Sequence, residues 1–280
     1  AYWDEQPDVY LVERHKREIS PLLHRRALFA EVENFLLYDY YTTGGWVDEN
    51  VIAYGNRYDD QHSLVVYHNK FADTSGWIKV SAATKSKSSG SLVQHRLAEA
   101  LDLQGGEGRF VLFRDQTSNL EFIRSSQEII NQGLYLRLNA YQFFVFLDFR
   151  EVQDDEYRSY QTLCDYLGGK GVPNIREAMR ELLLAPIMRP YAEISNPGYF
   201  NYLLDNRLED AKGTVTTQLL DEAQDKLSAL MEGIGQLHAA GQRKQEILAG
   251  LRYQLETLLS LPIIQESAGV FQQGLAKSAI

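Results

Sequence analysis

The chain has very little cysteine. Of 280 residues only Cys164 is one, so an intrachain disulfide is impossible and a cysteine-based metal site has no ligand set. One thiol fits a reducing compartment such as the cytoplasm without fixing one. Long apolar runs are also missing, and none approaches the ~20 residues that span a bilayer. Positive charge is in deficit, with 28 Lys and Arg against 38 Asp and Glu and a net charge of −10. Binding to nucleic acid rests on neutralising phosphates, so this balance argues against a general nucleic-acid partner and against docking on anionic membrane. Neutral polymers such as polysaccharides stay open. No signal peptide is visible. The chain starts at Ala1 without an initiator Met and reads as a piece of something larger.

The motifs of common catalysts are absent too. Six histidines are present, but none forms an H-x-x-x-H pair, so no metal and no cofactor is expected. No G-x-S-x-G elbow occurs. Gly105-Gly106-Glu107-Gly108 precedes a strand and lacks a lysine, unlike a phosphate-cradling loop. His68 reads as a hydrogen-bonding residue at a strand end. Asp148 reads as a carboxylate salt-bridged within the fold, for example to Arg150 or Arg137. Gly55-Asn56-Arg57-Tyr58-Asp59 fits G-x-R-x-D, a pattern that carries a nucleophilic Asp in starch-acting glycosidases. Here it runs into Asp60-Gln61-His62-Ser63 between two strand-like segments, which is the text of a hairpin turn with Asp59 and Asp60 at solvent.

What is present falls into three regions, giving an α+β protein. Residues 1–48 read as helical. Ser20 with Pro21 makes a helix start, and Leu22, Leu23, Leu28, Phe29, Val32, Phe35 and Leu36 follow a period near 3.6; Gly44-Gly45 ends the segment. Residues 49–152 read as an antiparallel β-sandwich rich in Val, Ile, Tyr and Phe. Its strands are expected at Asn50–Asn56, Ser63–Phe71, Gly76–Ala82, Gly108–Asp115, Leu120–Ser125, Leu134–Leu138 and Gln142–Arg150. Lys85–Ser91 reads as a flexible loop and Leu92–Leu103 as a short helical insertion. Residues 153–280 read as α-helical. Asn174 caps a helix that Pro186 and Pro190 end. A long helical hairpin follows, with Leu220, Ala223, Leu227, Leu230, Ile234 and Leu237 on one arm. Ile247, Leu251, Leu255 and Leu258 line the other after a turn at Gly241.

Aromatic side chains carry the one binding signal. A flat indole or phenol stacks on the apolar face of a sugar ring, and a neutral glycan needs little charge. Trp46, Trp77, Tyr58 and Tyr67 lie in or beside the early strands and turns and are the candidate substrate-binding residues. In β proteins most aromatics serve packing.

Several stretches resemble one family. Ser20-Pro-Leu-Leu-His-Arg-Arg-Ala-Leu-Phe-Ala30 and Glu33-Asn-Phe-Leu-Leu-Tyr-Asp39 are similar to the end of the catalytic barrel in bacterial glycoside hydrolases of the α-amylase family. Val51-Ile-Ala-Tyr-Gly-Asn-Arg57 and Leu64-Val-Val-Tyr-His-Asn69 resemble the first strands of the antiparallel domain that follows. Trp77–Ala83, Gly133–Tyr141 and Val145–Glu151 continue the likeness, and the helical tail resembles an extension in the same branch. The resemblance implies an accessory C-terminal region acting with a catalytic barrel on the same polypeptide, and α-glucan as the ligand. It implies no catalytic residue here: the family needs an Asp nucleophile, a Glu acid/base and a second Asp preceded by His, and this chain has no His-Asp dipeptide. Without a barrel, Leu28, Val32, Phe35 and Leu36 should form an exposed apolar face. The competing readings are a stand-alone glycan-binding or scaffold protein and a helical interaction module over 215–260.

Overall fold

The computed structural model describes residues 6–30, 34–85, 90–207, 215–237 and 243–260. Three helices open it, α1 (Val9–Glu18), α2 (Ser20–His24) and α3 (Arg26–Ala30). Strands β1 (Leu36–Thr42), β2 (Val51–Tyr58), β3 (Gln61–His68) and β4 (Thr74–Ser81) follow, then a small ribbon of β5 (Thr84–Lys85) and β6 (Leu92–Val93). Next come α4 (Leu97–Ala100), β7 (Arg109–Asp115), β8 (Leu120–Ser125), α5 (Ser126–Gln132), β9 (Leu134–Leu138) and β10 (Phe143–Gln153). After β10 the described elements are helices, α6 (Ser159–Leu167), α7 (Ile175–Ile194), α8 (Pro197–Asp205), α9 (Thr217–Leu237) and α10 (Lys244–Ser260). The chain forms two compact units, Ala1–Arg180 and Glu181–Ile280.

The first unit is built on one curled, antiparallel, eight-stranded sheet of order β8-β7-β10-β3-β2-β1-β4-β9. Alternation along each strand decides what faces inward. Tyr38 and Tyr40 of β1, Ala53 of β2, Leu64 and Val66 of β3, Ile78 of β4, Val111 and Phe113 of β7, Leu134, Leu136 and Leu138 of β9 and Phe146 of β10 share one core. Phe113 stacks on Phe122 at 5.5 Å and meets Phe146 edge-on at 5.1 Å. Tyr40, fully buried, donates its hydroxyl to the Leu136 carbonyl at 2.7 Å. That bond satisfies a polar group that would otherwise cost free energy in the core.

Residues 36–42 are a strand, not the end of a helix. The apolar spacing that suggests a helix through Leu36 passes into a period of two, with Tyr38, Tyr40 and Thr42 buried and their neighbours more open. Tyr, Leu and Thr favour a pleated, half-buried surface, and β1 pairs with both β2 and β4. A boundary at residue 48 therefore cuts into the sheet.

Leu28 does not stand on an exposed face either. It is 1% exposed and packs with Val145 and Leu147 on the outer side of β10, beside Leu22 and Phe29. Both faces of β10 are thus covered, which is why Val145, Phe146 and Leu147 are consecutively buried. Leu36 packs against the inner core, Phe35 tilts against Tyr54 at 5.5 Å, and Val32 lies outside the described residues. Of the expected face only Phe35 is exposed among the described residues; Val9, Tyr10, Leu11, Val12, Ile19, Leu23 and Leu37 are exposed beside it in sequence.

The helical predictions need further corrections. α7 runs through Pro186 and Pro190. Proline removes an internal hydrogen bond and leaves a carbonyl without its usual partner. Within the second unit Gly233 of α9 sits against one such carbonyl, since a Cβ there would lie 2.1 Å from the Pro186 oxygen. On α10 Leu255 packs on the buried cluster and Leu251 is half-buried, as expected, but at the two ends of the stripe Leu248 and Leu259 are buried in place of the exposed Ile247 and Leu258. Leu220 and Ala223 of α9 are buried as read, with Leu219 beside them. Lys85 closes β5, while Ser86–Ser89 of the expected loop and the Gly241 turn lie outside the described residues.

Candidate functional site

An open groove of about 730 Å³ lies over the β1–β4–β9 end of the sheet, walled by Trp46, Val47, Lys70, Asp73, Tyr135 and Arg137. The alternation that buries Leu134, Leu136 and Leu138 turns Tyr135 and Arg137 to the opposite face. The same logic turns Tyr41 and Trp77 outward beside buried Thr42, Gly76 and Ile78. Tyr41 is the registered partner of Trp77, and Trp77 that of Tyr135. Three aromatic residues therefore form one row across three strands. Trp77 and Tyr135 are in ring contact at 5.1 Å and 58°.

Trp46 lines the same groove as Tyr135 from a tight loop. The Thr42 amide and hydroxyl both donate to the Trp46 carbonyl, at 2.9 and 3.0 Å, and Gly45 N–H donates to Thr42 O at 2.9 Å. The indole lies over Gly44, so that a Cβ there would fall 1.8 Å from a ring carbon. One ring face is spent on the glycine backbone, yet Trp46 remains 65% exposed. Gly44→Ala should push the indole off its seat. The expected result is a shifted tryptophan emission spectrum with a stability loss of no more than about 1 kcal/mol. An unchanged spectrum would refute this placement of the ring.

Polar groups line the groove floor. Asp48 Oδ1 accepts from Asn50 N–H at 3.1 Å and from Asn50 Nδ2 at 2.8 Å. Burial pushes its carboxyl up, but the bonds from Asn50 and Thr74 and the nearby His68 outweigh that and hold it below its ordinary value. Asp48 is thus an ionised, fixed acceptor. Arg137 and Asp73 are 3.8 Å apart and both well exposed, a pairing of little energetic weight that leaves them free to meet a ligand. His68 is a strand-end hydrogen-bonding residue, as its position suggests: fully buried, with Nδ1 3.0 Å from the Asn139 carbonyl.

The four aromatic candidates do not converge. Trp46 walls the groove, and Trp77 reaches it through Tyr135. Tyr58 ends β2 beside the hairpin turn, six residues from Ile52, the partner of Tyr67, or roughly 20 Å along the strand. Tyr67 hydrogen-bonds Asn69 at 3.1 Å. Neither tyrosine lines the groove. The G-x-R-x-D segment is the β2–β3 hairpin: Asp59 is left-handed at φ 56°, and Arg57 Nε donates to its carbonyl at 3.2 Å. Asp148 is salt-bridged within the fold, to Arg25 and Arg114 rather than to Arg150 or Arg137.

Sequence reasoning missed Tyr135, Arg137, Asp48 and Asn50. The alternation in Leu134-Tyr-Leu-Arg-Leu138 carries a signal for the first two, since it puts Tyr135 and Arg137 on the face opposite three leucines. Among the described residues no group of three or more His, Cys, Asp or Glu is placed to hold a metal ion. No helix among them is long and apolar enough to cross a membrane. Comparison with protein-family models and with curated proteins gave no match.

Aromatic walls over a hydrogen-bonding floor suit a ring that is apolar on its faces and hydroxylated at its rim. Trp46 and Tyr135 offer π-surfaces for stacking. Asp48, Asn50 and Arg137 offer acceptors and donors for hydroxyls, and no proton transfer is required of any of them.

Proposed function

We propose that this chain is a noncatalytic accessory region that holds a neutral glycan, of the kind that follows the catalytic barrel in α-amylase-family glycoside hydrolases. The observation that carries the reading is the groove lined together by the exposed indole of Trp46 and the fixed hydrogen-bonding groups of Asp48 and Asn50. An α-glucan suits it because its pyranose rings present both an apolar face and hydroxyls. On this reading the curled sheet is a β-sandwich. Its edge strands support the idea, because β8 through Phe122 and Arg124 and β9 through Tyr135 and Leu136 wall one and the same cleft. The region 153–280 is then an α-helical extension, with α6 to α10 as its described helices.

The catalytic barrel is the proposed partner, on the same polypeptide. Helix α1 has no buried residue, and Val9, Tyr10 and Leu11 are more than half exposed. An exposed apolar cluster marks a surface that meets another. The helical hairpin is a weaker candidate for partner binding, because Leu219, Leu220, Ala223 and Leu248 are spent inside their own unit.

Electrophoresis in gels containing soluble α-glucan tests the proposal. The wild type should be retarded, and Trp46→Ala should weaken binding at least about tenfold, the loss of roughly 1.4 kcal/mol expected from one stacking platform. Equal mobility of the wild type with and without glucan would reject it.

A further inference from the structure

A second cleft, also about 730 Å³, opens between the two edges of the sheet and is lined by Phe122, Arg124, Leu136, Phe144, Phe146 and Cys164. Its volume is that of a small-molecule site, and its lining combines Phe and Leu side chains with charged ones, Arg124, Arg137, Lys170, Glu128 and Asp165, of which half-buried Arg124 lies against the aromatic rings. The Arg124 guanidinium lies 5.8 Å from the centre of the Phe122 ring and 6.0 Å from that of Phe113. Its hydrogen bonds go to two neutral carbonyls, Ile123 O at 2.7 Å and Gly169 O at 2.8 Å. Among the described residues no carboxylate forms an ion pair with it; Glu128 and Asp165 belong to the cleft wall without bonding to it. Burial lowers its pKa, and the charge of Glu128 on the cleft wall opposes that without reversing it. A charge withdrawn this far from water gains from a partner of opposite sign. Cation–π contacts and two carbonyls offset only part of the desolvation cost, whereas a carboxylate would meet the planar guanidinium with charge-assisted bonds.

We infer that this cleft binds a small organic anion with an apolar body, its carboxylate on Arg124 and its hydrocarbon against Phe122, Leu136, Phe144 and Phe146. This site is separate from the Trp46 groove, although Tyr135 and Arg137 stand on the wall common to both.

Decanoate serves as the probe, with decanol as its uncharged match, on the full chain by calorimetry. Decanoate should bind at one site per chain, and decanol at least tenfold more weakly. Arg124→Met should weaken decanoate at least tenfold, whereas Trp46→Ala should leave it unchanged. Cys164 is the chain's only thiol and lines the cleft, so it gives a readout that needs no variant. Bound decanoate should slow its alkylation by iodoacetamide, and prior alkylation should block decanoate. That second arm decides the matter if Arg124→Met does not fold. The inference is overturned if the wild type does not bind decanoate, if decanol binds as tightly, or if Cys164 reacts at the same rate with decanoate present.

Discussion

Gly133→Ala should destabilise the first unit by about 4 kcal/mol, the largest loss expected from adding one methyl group. Gly133 ends α5 and starts β9 at φ 90° and ψ −178°, a region essentially closed to residues with a Cβ. Its amide donates to the Ile129 carbonyl at 2.9 Å and closes the helix. An added Cβ would lie 2.4 Å from the Ile78 carbonyl oxygen and 2.9 Å from Lys79 Cα, both backbone atoms of β4 that cannot rotate away. Strain of ~1–3 kcal/mol and an overlap of similar size act together. Gly168→Ala is the control. Gly168 also has a positive φ, 53°, but a Cβ there meets nothing within 4 Å, so only the conformational cost of about 1 kcal/mol should appear. Urea unfolding of both variants checks the difference. Equal losses would show that β4 does not press on Gly133.

The second large effect is expected at Asp148. This residue is left-handed at φ 57°, inside the irregularity that shifts the β10–β7 register between Leu147 and Arg150. The twist lets one carboxylate reach Arg25 at 2.5 Å and Arg114 at 2.6 Å, tying the α2–α3 junction to the sheet. Burial pushes the carboxyl up, but the bonds and charges of the two arginines outweigh it and place its pKa below the ordinary value. The folded form is therefore the stronger acid. Its stabilising contribution is complete above the unfolded carboxyl's pKa of about 3.9 and is lost as pH falls through the lower folded value. Asp148→Asn keeps a side chain that tolerates the left-handed backbone and removes only the charge. With both arginines about a third exposed, solvent screening limits the expected cost to about 1–2 kcal/mol at pH 7. The gap between wild type and variant should close as pH falls through the lowered pKa of the folded carboxyl. A gap that is the same at pH 7 and in acid would rule out the charge as its source.

Strands bounded by turn residues were legible from composition: β8 and β9 span Leu120–Ser125 and Leu134–Leu138, as read. So was the cap at Asn174, whose Oδ1 accepts from Glu177 N–H at 3.0 Å. Helix α5 was missed although its signals are local. Ser125 accepts from Glu128 N–H at 3.3 Å and Gly133 ends the helix, a start and stop with only seven residues between them in a region already read as strands. β1 was misread because its apolar residues also suit a helix, and only pairing with β2 and β4 decides between the two. The course of α7 through two prolines depends on packing within its unit, which no local pattern carries. Half of the groove was legible. Trp46 stands out in a glycine turn, but its companions Tyr135 and Arg137 come from a strand some ninety positions later and are joined to it by the order β1-β4-β9. The Arg124 cleft was not legible at all, since it exists only where the two edges of the sheet approach.

The groove is the centre of this account, and nuclear magnetic resonance tests it most directly. The ¹⁵N-labelled chain would be titrated with maltoheptaose. The account predicts saturable shifts of the Trp46 indole N–H and of the backbone amides of residues 46–50 and 135–137, with the Tyr58 hairpin unmoved. A titration that leaves the Trp46 indole in place, or moves only amides remote from β1, β4 and β9, would contradict it.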